Sequence, residues 1–212
     1  MRLAHVINPV KVSEASDLFI AQPIVFQSMR RAKAFVEGKI EIEFLSTQFP
    51  EDLDFVPKDF VPTENLTRSI RDLKGVSDKR RLPYIADILF RAFHSSDADY
   101  LIYTNSDICL QEHFYMAIQQ YIELGYDAFS ITRRTIPDHY KSPNQLPEMY
   151  LELGKPHQGW DCFVFRRTAT REFKFARVFV GLPGIGRALL CNMICSSSQF
   201  KLISDAHLTF HI

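Results

Sequence analysis

The run Tyr100-Leu101-Ile102-Tyr103 ends abruptly in the small polar residues Thr104-Asn105-Ser106-Asp107. An apolar, aromatic and β-branched run of this kind reads as a buried strand, and its polar end has turn and cap chemistry. Open α/β sheets bind ligands just beyond the carboxyl ends of their strands. Asn105 and Asp107 would there present an amide and a carboxylate to a polar ligand. A hard divalent cation, Mg²⁺ or Mn²⁺, takes oxygen ligands, commonly one or two carboxylates completed by substrate phosphates. Asp107 is the candidate ligand, and Asn105 either a weaker one or a partner for a nucleotide ribose. The competing use of both residues is to cap the helix that starts near Glu112 and to satisfy turn amides.

Four further groups could act with them. Lys79-Arg80-Arg81 precede a helix start, where cations oppose the macrodipole unless an anion sits among them, and a helix N-terminus with Lys and Arg suits a diphosphate. Arg133-Arg134 follow the strand after Asp107, and a parallel topology puts them on the edge that carries Asn105 and Asp107. Trp160-Asp161 open another strand: an aromatic face stacks on sugars, and a carboxylate accepts hydroxyl protons as a base. His207 and His211 supply imidazoles able to complete a metal shell. Each group also has an ordinary structural use, as solvated charge, strand-edge anchor or strand-end histidine. The turn Gly181–Gly186 lacks the spacing of a dinucleotide fingerprint.

Strands, helices and turns place these residues as follows. Leu3 to Ile7 is a strand stopped by Asn8-Pro9. A helix from about Pro23 to Glu37 buries Val25, Met29, Ala32 and Val36, and Gly38 ends it. Ile40, Ile42 and Phe44 alternate with Glu41 and Glu43 as a second strand. Strand, helix and strand in sequence imply a right-handed crossover and a parallel sheet. Phe49 to Pro62, acidic and proline-bearing, reads as a long surface loop, and Thr63 to Leu73 as a short helix. A second amphipathic helix starts at Leu82, with Pro83 in its first turn and Ile85, Ile88, Leu89, Ala92 and Phe93 as its stripe. A third helix covers Glu112 to Leu124, and Tyr126 to Thr132 is the next strand. Residues 135–158 form a long polar loop of the kind used as lids. Trp160–Phe165, Val178–Leu182, Phe200–Ile203 and Leu208–Ile212 read as strands, with a helix from Pro183 to about Cys195.

Composition sets outer bounds. The 212 residues make a single domain, and 46% hydrophobic against 24% charged residues is an ordinary globular balance. A net charge of +0 provides no global field to recruit nucleic acid. The apolar runs are too short to span a bilayer, and the first residues lack a signal-peptide core. The 4 scattered cysteines read as reduced thiols in a cytoplasmic setting, with the protein free in solution or peripheral at a membrane.

Together, Tyr100-Leu101-Ile102-Tyr103-Thr104 followed by Asn105-Ser106-Asp107, and the segment Gly159-Trp160-Asp161-Cys162-Phe163-Val164-Phe165, resemble GT-A-type glycosyltransferases, the nucleotide-diphospho-sugar transferases. The departure is Asn105 where the Asp-x-Asp-type pattern has its first carboxylate. The resemblance implies an α/β fold with a Rossmann-like, mostly parallel mixed sheet between two helical layers. Residues 1–132 would form a nucleotide-binding half and 133–212 an acceptor-side half. It implies Mn²⁺ or Mg²⁺ on Asp107 with His207 or His211, and a nucleotide-sugar, a UDP-sugar before others, held by Asn8, Lys79, Arg80, Asn105, Arg133, Arg134 and Trp160. Asp161 would be the base for a carbohydrate or glycoconjugate acceptor. The rival readings are a non-catalytic nucleotide- or sugar-binding protein and a nucleotidyltransferase. Against the latter, Asn8-Pro9-Val10-Lys11-Val12 after the first strand contains no glycine.

Overall fold

Leu3, Ala4, Val6 and Ile7 are all fully buried, so the first strand is covered on both faces and lies inside a sheet. The computed structural model describes residues 1–212. Its strands and α-helices are, in chain order, β1 (Arg2–Ile7), α1 (Asp17–Phe35), β2 (Glu41–Ser46), β3 (Val61–Pro62), α2 (Ile85–Ser95), β4 (Tyr100–Thr104), β5 (Cys109–Leu110), α3 (Phe114–Glu123), β6 (Ala128–Thr135), α4 (Leu146–Leu151), β7 (Lys155–Arg166), α5 (Ile185–Ser196), β8 (Phe200–Ile203) and β9 (Thr209–His211).

The strands form one sheet in the order β3-β2-β1-β4-β7-β6-β9-β5, with β8 also paired to β6. β1, β2, β3 and β4 run parallel. β7 enters between β4 and β6 antiparallel to both, which makes β6 parallel to β4. β8 and β9 follow β6 in parallel, and short β5 closes the curl antiparallel to β9. The result is the mostly parallel, mixed α/β sheet expected. One core packs α1 and α3 on one face through Ile24, Met29, Phe114 and Ile118. The other packs α2 and α5 on the opposite face through Ile88, Leu89, Leu189 and Met193. A strand buried on both sides reads as a continuous apolar run, and β4 is buried at all of its positions.

Local chemistry moves several boundaries. α1 starts at Asp17, well before Pro23, because Ser16 caps it by accepting from the Leu18 N–H at 3.4 Å. The proline therefore sits inside the helix, held there by the burial of Ile24, Val25, Phe26 and Met29. α2 starts at Ile85: Pro83 and Tyr84 instead bridge Ser69 and Phe179. Thr63 to Leu73 is not a helix beyond the 3₁₀ turn Ile70–Asp72, and Val178–Leu182 is not a strand beyond that one bridge. β6 extends through Thr135, so Arg133 and Arg134 are strand residues. The long loop after it contains α4 and the first residues of β7. No helix is long and apolar enough to cross a membrane.

Candidate functional site

The carboxyl ends of β1, β2, β4 and β6 share one edge, and β7 enters the sheet there. Thr104, the last residue of β4, pairs with Cys162, and Cys162 also pairs with Ile131 of β6. The next pair along β6 and β7 is Thr132 with Trp160, so Asp161 is the extra residue of a bulge. Bulges re-aim side chains beside sites. Asp161 is 8% exposed, and its Oδ2 lies 2.6 Å from Arg133 Nη1 and 3.9 Å from His157 Nδ1. That ion contact is close, yet Oδ2 receives no well-directed hydrogen bond. Burial pushes the Asp161 carboxyl above its usual range; Arg133 pulls it down, and the charge of Asp107 pushes it up again.

Asp107 lies in the turn after β4 with its Oδ2 3.3 Å from His211 Nε2 at the end of β9. Its Oδ1 is buried without a hydrogen-bond partner. Burial raises this carboxyl, but the His211 hydrogen bond, then the charges of His211 and Arg133, outweigh it and hold it below the ordinary value. The edge thus pairs an acidified carboxylate with one raised toward neutrality.

Asp107 separates two clefts. The one of about 200 Å³ is lined by Asn8, Phe49, Asp52, Arg81, Asn105 and Asp107, among others. The other, about 500 Å³, includes Asp17, Asp138, Lys141 and His211 on its wall. Asn8 donates to the Thr47 carbonyl at 2.6 Å, tying the end of β1 to the end of β2. Asn105 accepts from the Tyr103 hydroxyl at 3.0 Å, which leaves its amide nitrogen for a ligand. Arg81 stacks over the Phe49 ring at 4.0 Å and pairs with Glu51.

Other candidates fall elsewhere. Lys79 and Arg80 do not line the cleft: the Lys79 carbonyl accepts from Arg71, and Arg80 pairs with Asp78 at 2.7 Å. The reason is the late start of α2, which leaves only Arg81 at the cleft wall. Arg134 is used up by Asp205 and by the carbonyls of Leu153 and Gly154, so it fastens the loop rather than facing the cleft. His207 contacts Gln111 at 3.1 Å, away from Asp107. Trp160 packs against the first turn of α5, where a Cβ on Gly186 would lie 3.1 Å from the Trp160 carbonyl.

Asp52 and Phe49 were hidden in the loop after β2. Asp52 is 5% exposed and accepts from the Lys11 N–H at 2.8 Å. The strand-end rule that singled out Asn105 applies equally to the end of β2, and was the signal available. His157 stands in the segment before Trp160, but its approach to Asp161 depends on the bulge.

The protein resident nearest to a metal centre is the pair Asp107 and His211; no group of three or more His, Cys, Asp or Glu side chains gathers to hold an ion. One carboxylate with an orphaned buried oxygen, beside one imidazole, fits a cation that a ligand's phosphates complete and does not fit an all-protein cage.

No family model matches the sequence, and no curated protein matches it. Solved structures do. S. aureus TarS 1-349 in complex with UDP-GlcNAc aligns over 99% of this chain at 8% identity and TM-score 0.59. This chain spans 58% of that one, less than two thirds of its length. The 4-diphosphocytidyl-2C-methyl-D-erythritol synthase of Anaerococcus prevotii aligns over all of this chain and 89% of its own at 8% identity and TM-score 0.54. CMP:2-keto-3-deoxy-manno-octonic acid synthetase complexed with CTP aligns over 96% of this chain and 90% of its own at 12% identity and TM-score 0.50. Likeness at such identities is likeness of fold: the chain shares the mixed α/β fold of these three structures, the architecture that the resemblance at the polar end of β4 implied.

Proposed function

We propose that the protein is a glycosyltransferase that moves a sugar from a nucleotide-diphosphate sugar, a UDP-sugar in the first instance, to an acceptor hydroxyl. The observation that carries this reading is Asp107: it lies between two clefts, with one buried oxygen unpaired and the other against His211. The nucleotide takes the cleft of Asn8, Arg81 and Asn105, within residues 1–132, and the acceptor is met by residues 133–212. Mn²⁺ or Mg²⁺, held by Asp107 and His211 together with diphosphate oxygens, would neutralise charge on the leaving group. Arg81 adds a cation on the same wall once it leaves Glu51. Asp161, raised by burial, takes the acceptor's hydroxyl proton. The hydroxyl oxygen then bonds to the anomeric carbon as the bond to the diphosphate breaks. The reduced state of all four cysteines suits a cytoplasmic protein.

The nucleotidyltransferase reading has one observation in its favour: the two synthetases are matched over 89% and 90% of their chains, against 58% for TarS 1-349. The glycine-free segment after β1 still counts against it. A thermal-shift screen of UDP-, GDP-, CMP- and dTDP-sugars against CTP and UTP, with and without Mn²⁺, separates the two, since a bound ligand stabilises the folded state by mass action. The glycosyltransferase reading expects a sugar nucleotide to give the largest shift, and Asp107→Ala to abolish the Mn²⁺-dependent part. Preference for a free triphosphate, or an unchanged shift in Asp107→Ala, overturns it.

A further inference from the structure

Charge that cancels over the whole chain is unevenly spread along it. Residues 166–196, from the last residue of β7 through α5, carry six cations against the one carboxylate of Glu172, in a chain whose net charge is +0. Arg166, Arg171, Lys174, Arg177 and Arg187 are exposed, and none of them pairs with a carboxylate. The sixth, Arg167, is partly buried and holds the chain in place by donating to the carbonyls of Ala98 and Phe93. The segment after β7 is laid across one helical layer. Arg171 stands over the Phe93 ring of α2 at 4.9 Å. The Lys174 N–H donates to the Asn192 side chain of α5 at 2.6 Å. The Phe179 ring lies 4.3 Å from that of Tyr84, beside the start of α2. The cations are thus strung between α2 and α5, on the side of the sheet away from α1 and α3. Neither helix neutralises them. α5 has no acidic residue, and Asp87, the one on α2, is 7% exposed and paired with Arg68. A local surplus of this kind repels itself and attracts an anionic surface.

Two apolar side chains project from the same layer. Phe90 of α2 is 59% exposed and Ile194 of α5 is 53% exposed. Their helices turn other residues to the core, Ile88, Leu89 and Ala92 in α2 and Leu189 and Met193 in α5. A nucleic acid would take up the cations and leave an isoleucine without a partner. A bilayer with anionic headgroups takes both kinds of side chain, the cations among the headgroups and the apolar groups just beneath them. Val180 and Gly181, at the end of the cationic segment, line the cleft that holds Asn105 and Asp107. A bilayer against this layer therefore lies beside that cleft.

We propose that the layer formed by α2, α5 and the segment between β7 and α5 docks on a bilayer surface of anionic phospholipid. This goes beyond the transfer reaction and stands whichever nucleotide the cleft takes. The test is sedimentation of the full chain with vesicles of phosphatidylcholine, alone or with about one third phosphatidylserine, at physiological ionic strength. The expected result is binding to the phosphatidylserine vesicles and not to phosphatidylcholine alone. R171Q/K174Q weakens it about tenfold, R171E/K174E weakens it further, and R171K/K174R retains it. The control is K39E/K58E, the same change of charge at two exposed lysines on the α1 side, where Lys39 follows the helix and Lys58 adjoins the Asp59 paired with Arg30. It leaves binding within about twofold, since screened charges act locally. F90Q/I194Q, at two exposed positions, weakens vesicle binding about fivefold. No binding to phosphatidylserine vesicles overturns the proposal, as does a loss in K39E/K58E equal to that in R171E/K174E. Vesicle binding indifferent to F90Q/I194Q, or tighter binding to a short DNA duplex than to the vesicles, also overturns it, because the layer would then be a general polyanion surface.

Discussion

Arg133→Met removes the cation that faces Asp161 and keeps an unbranched side chain in the same space. The two side chains are 17% and 11% exposed and their charges are 2.6 Å apart, so water screens them little. Stranding one member of a buried pair costs about 3–5 kcal/mol, unless the stranded group sheds its charge. Asp161 can do so by taking up a proton. Burial already raises its carboxyl, with Arg133 the main influence holding it down, and the substitution lifts it further. A carboxyl raised above its unfolded value stabilises the fold while protonated, and that stability is lost as pH climbs through the folded value. Arg133→Met is therefore expected to lose more stability at about pH 8 than at about pH 5. Asp161→Asn in the same background should restore about 2 kcal/mol of it and flatten the pH dependence. Urea unfolding of the wild type, both single variants and the double variant, at both pH values, measures all of this. Equal losses at the two pH values, or additive single variants, would refute the claim that these groups are one electrostatic unit.

Two other expectations follow from groups away from the cleft. His5 is wholly buried between the Tyr115 hydroxyl at 2.8 Å and the Thr104 hydroxyl at 2.9 Å, and burial drives its pKa from 6.5 to about 3. Its folded value lies below its unfolded one, so its contribution is complete above the unfolded pKa and is lost as pH falls toward the folded value. The loss reaches about 2 kcal/mol by about pH 5. The stability gap between the wild type and His5→Gln should close by that amount on acidification from neutrality, and a constant gap in urea unfolding would show that His5 is not held neutral. Gly154 has φ 60°, and a Cβ there would sit 2.7 Å from the Thr135 carbonyl. Gly154→Ala should cost about 1–3 kcal/mol, read by thermal unfolding; an unchanged midpoint would mean that the loop fastened by Arg134 yields freely.

The central strand was legible because burial on both faces writes itself as an apolar run: Tyr100 to Tyr103 lies where its side chains put it. The same periodic signal misled at Val178–Leu182, where the apolar residues cover α2 without joining the sheet. Helix starts were less legible. Pro83 fits a first helical turn by its fixed φ, yet its carbonyl accepts from the Val180 N–H at 2.9 Å, so the chain there is committed to a bridge. That displacement decides which cation reaches the cleft: the run Lys79-Arg80-Arg81 offers three, and only Arg81 lines it. Charge runs report the presence of cations and say nothing of their aim.

The choice between His207 and His211 shows how aim is decided by packing. β5 and β9 are antiparallel, with Cys109 opposite Phe210 and Leu110 opposite Thr209. Continuing that register brings His211 level with the residues just before Cys109, and so to Asp107. Phe210 and Cys109 are both fully buried, and a slip of one residue would turn Phe210 out of the core and His211 away from Asp107. The apolar side chain therefore specifies the polar contact. His207, with φ 47°, lies in the turn before the strand, where no register binds it and Gln111 claims its ring. Two histidines that look equivalent in the sequence are separated by a phenylalanine between them that takes no part in the chemistry.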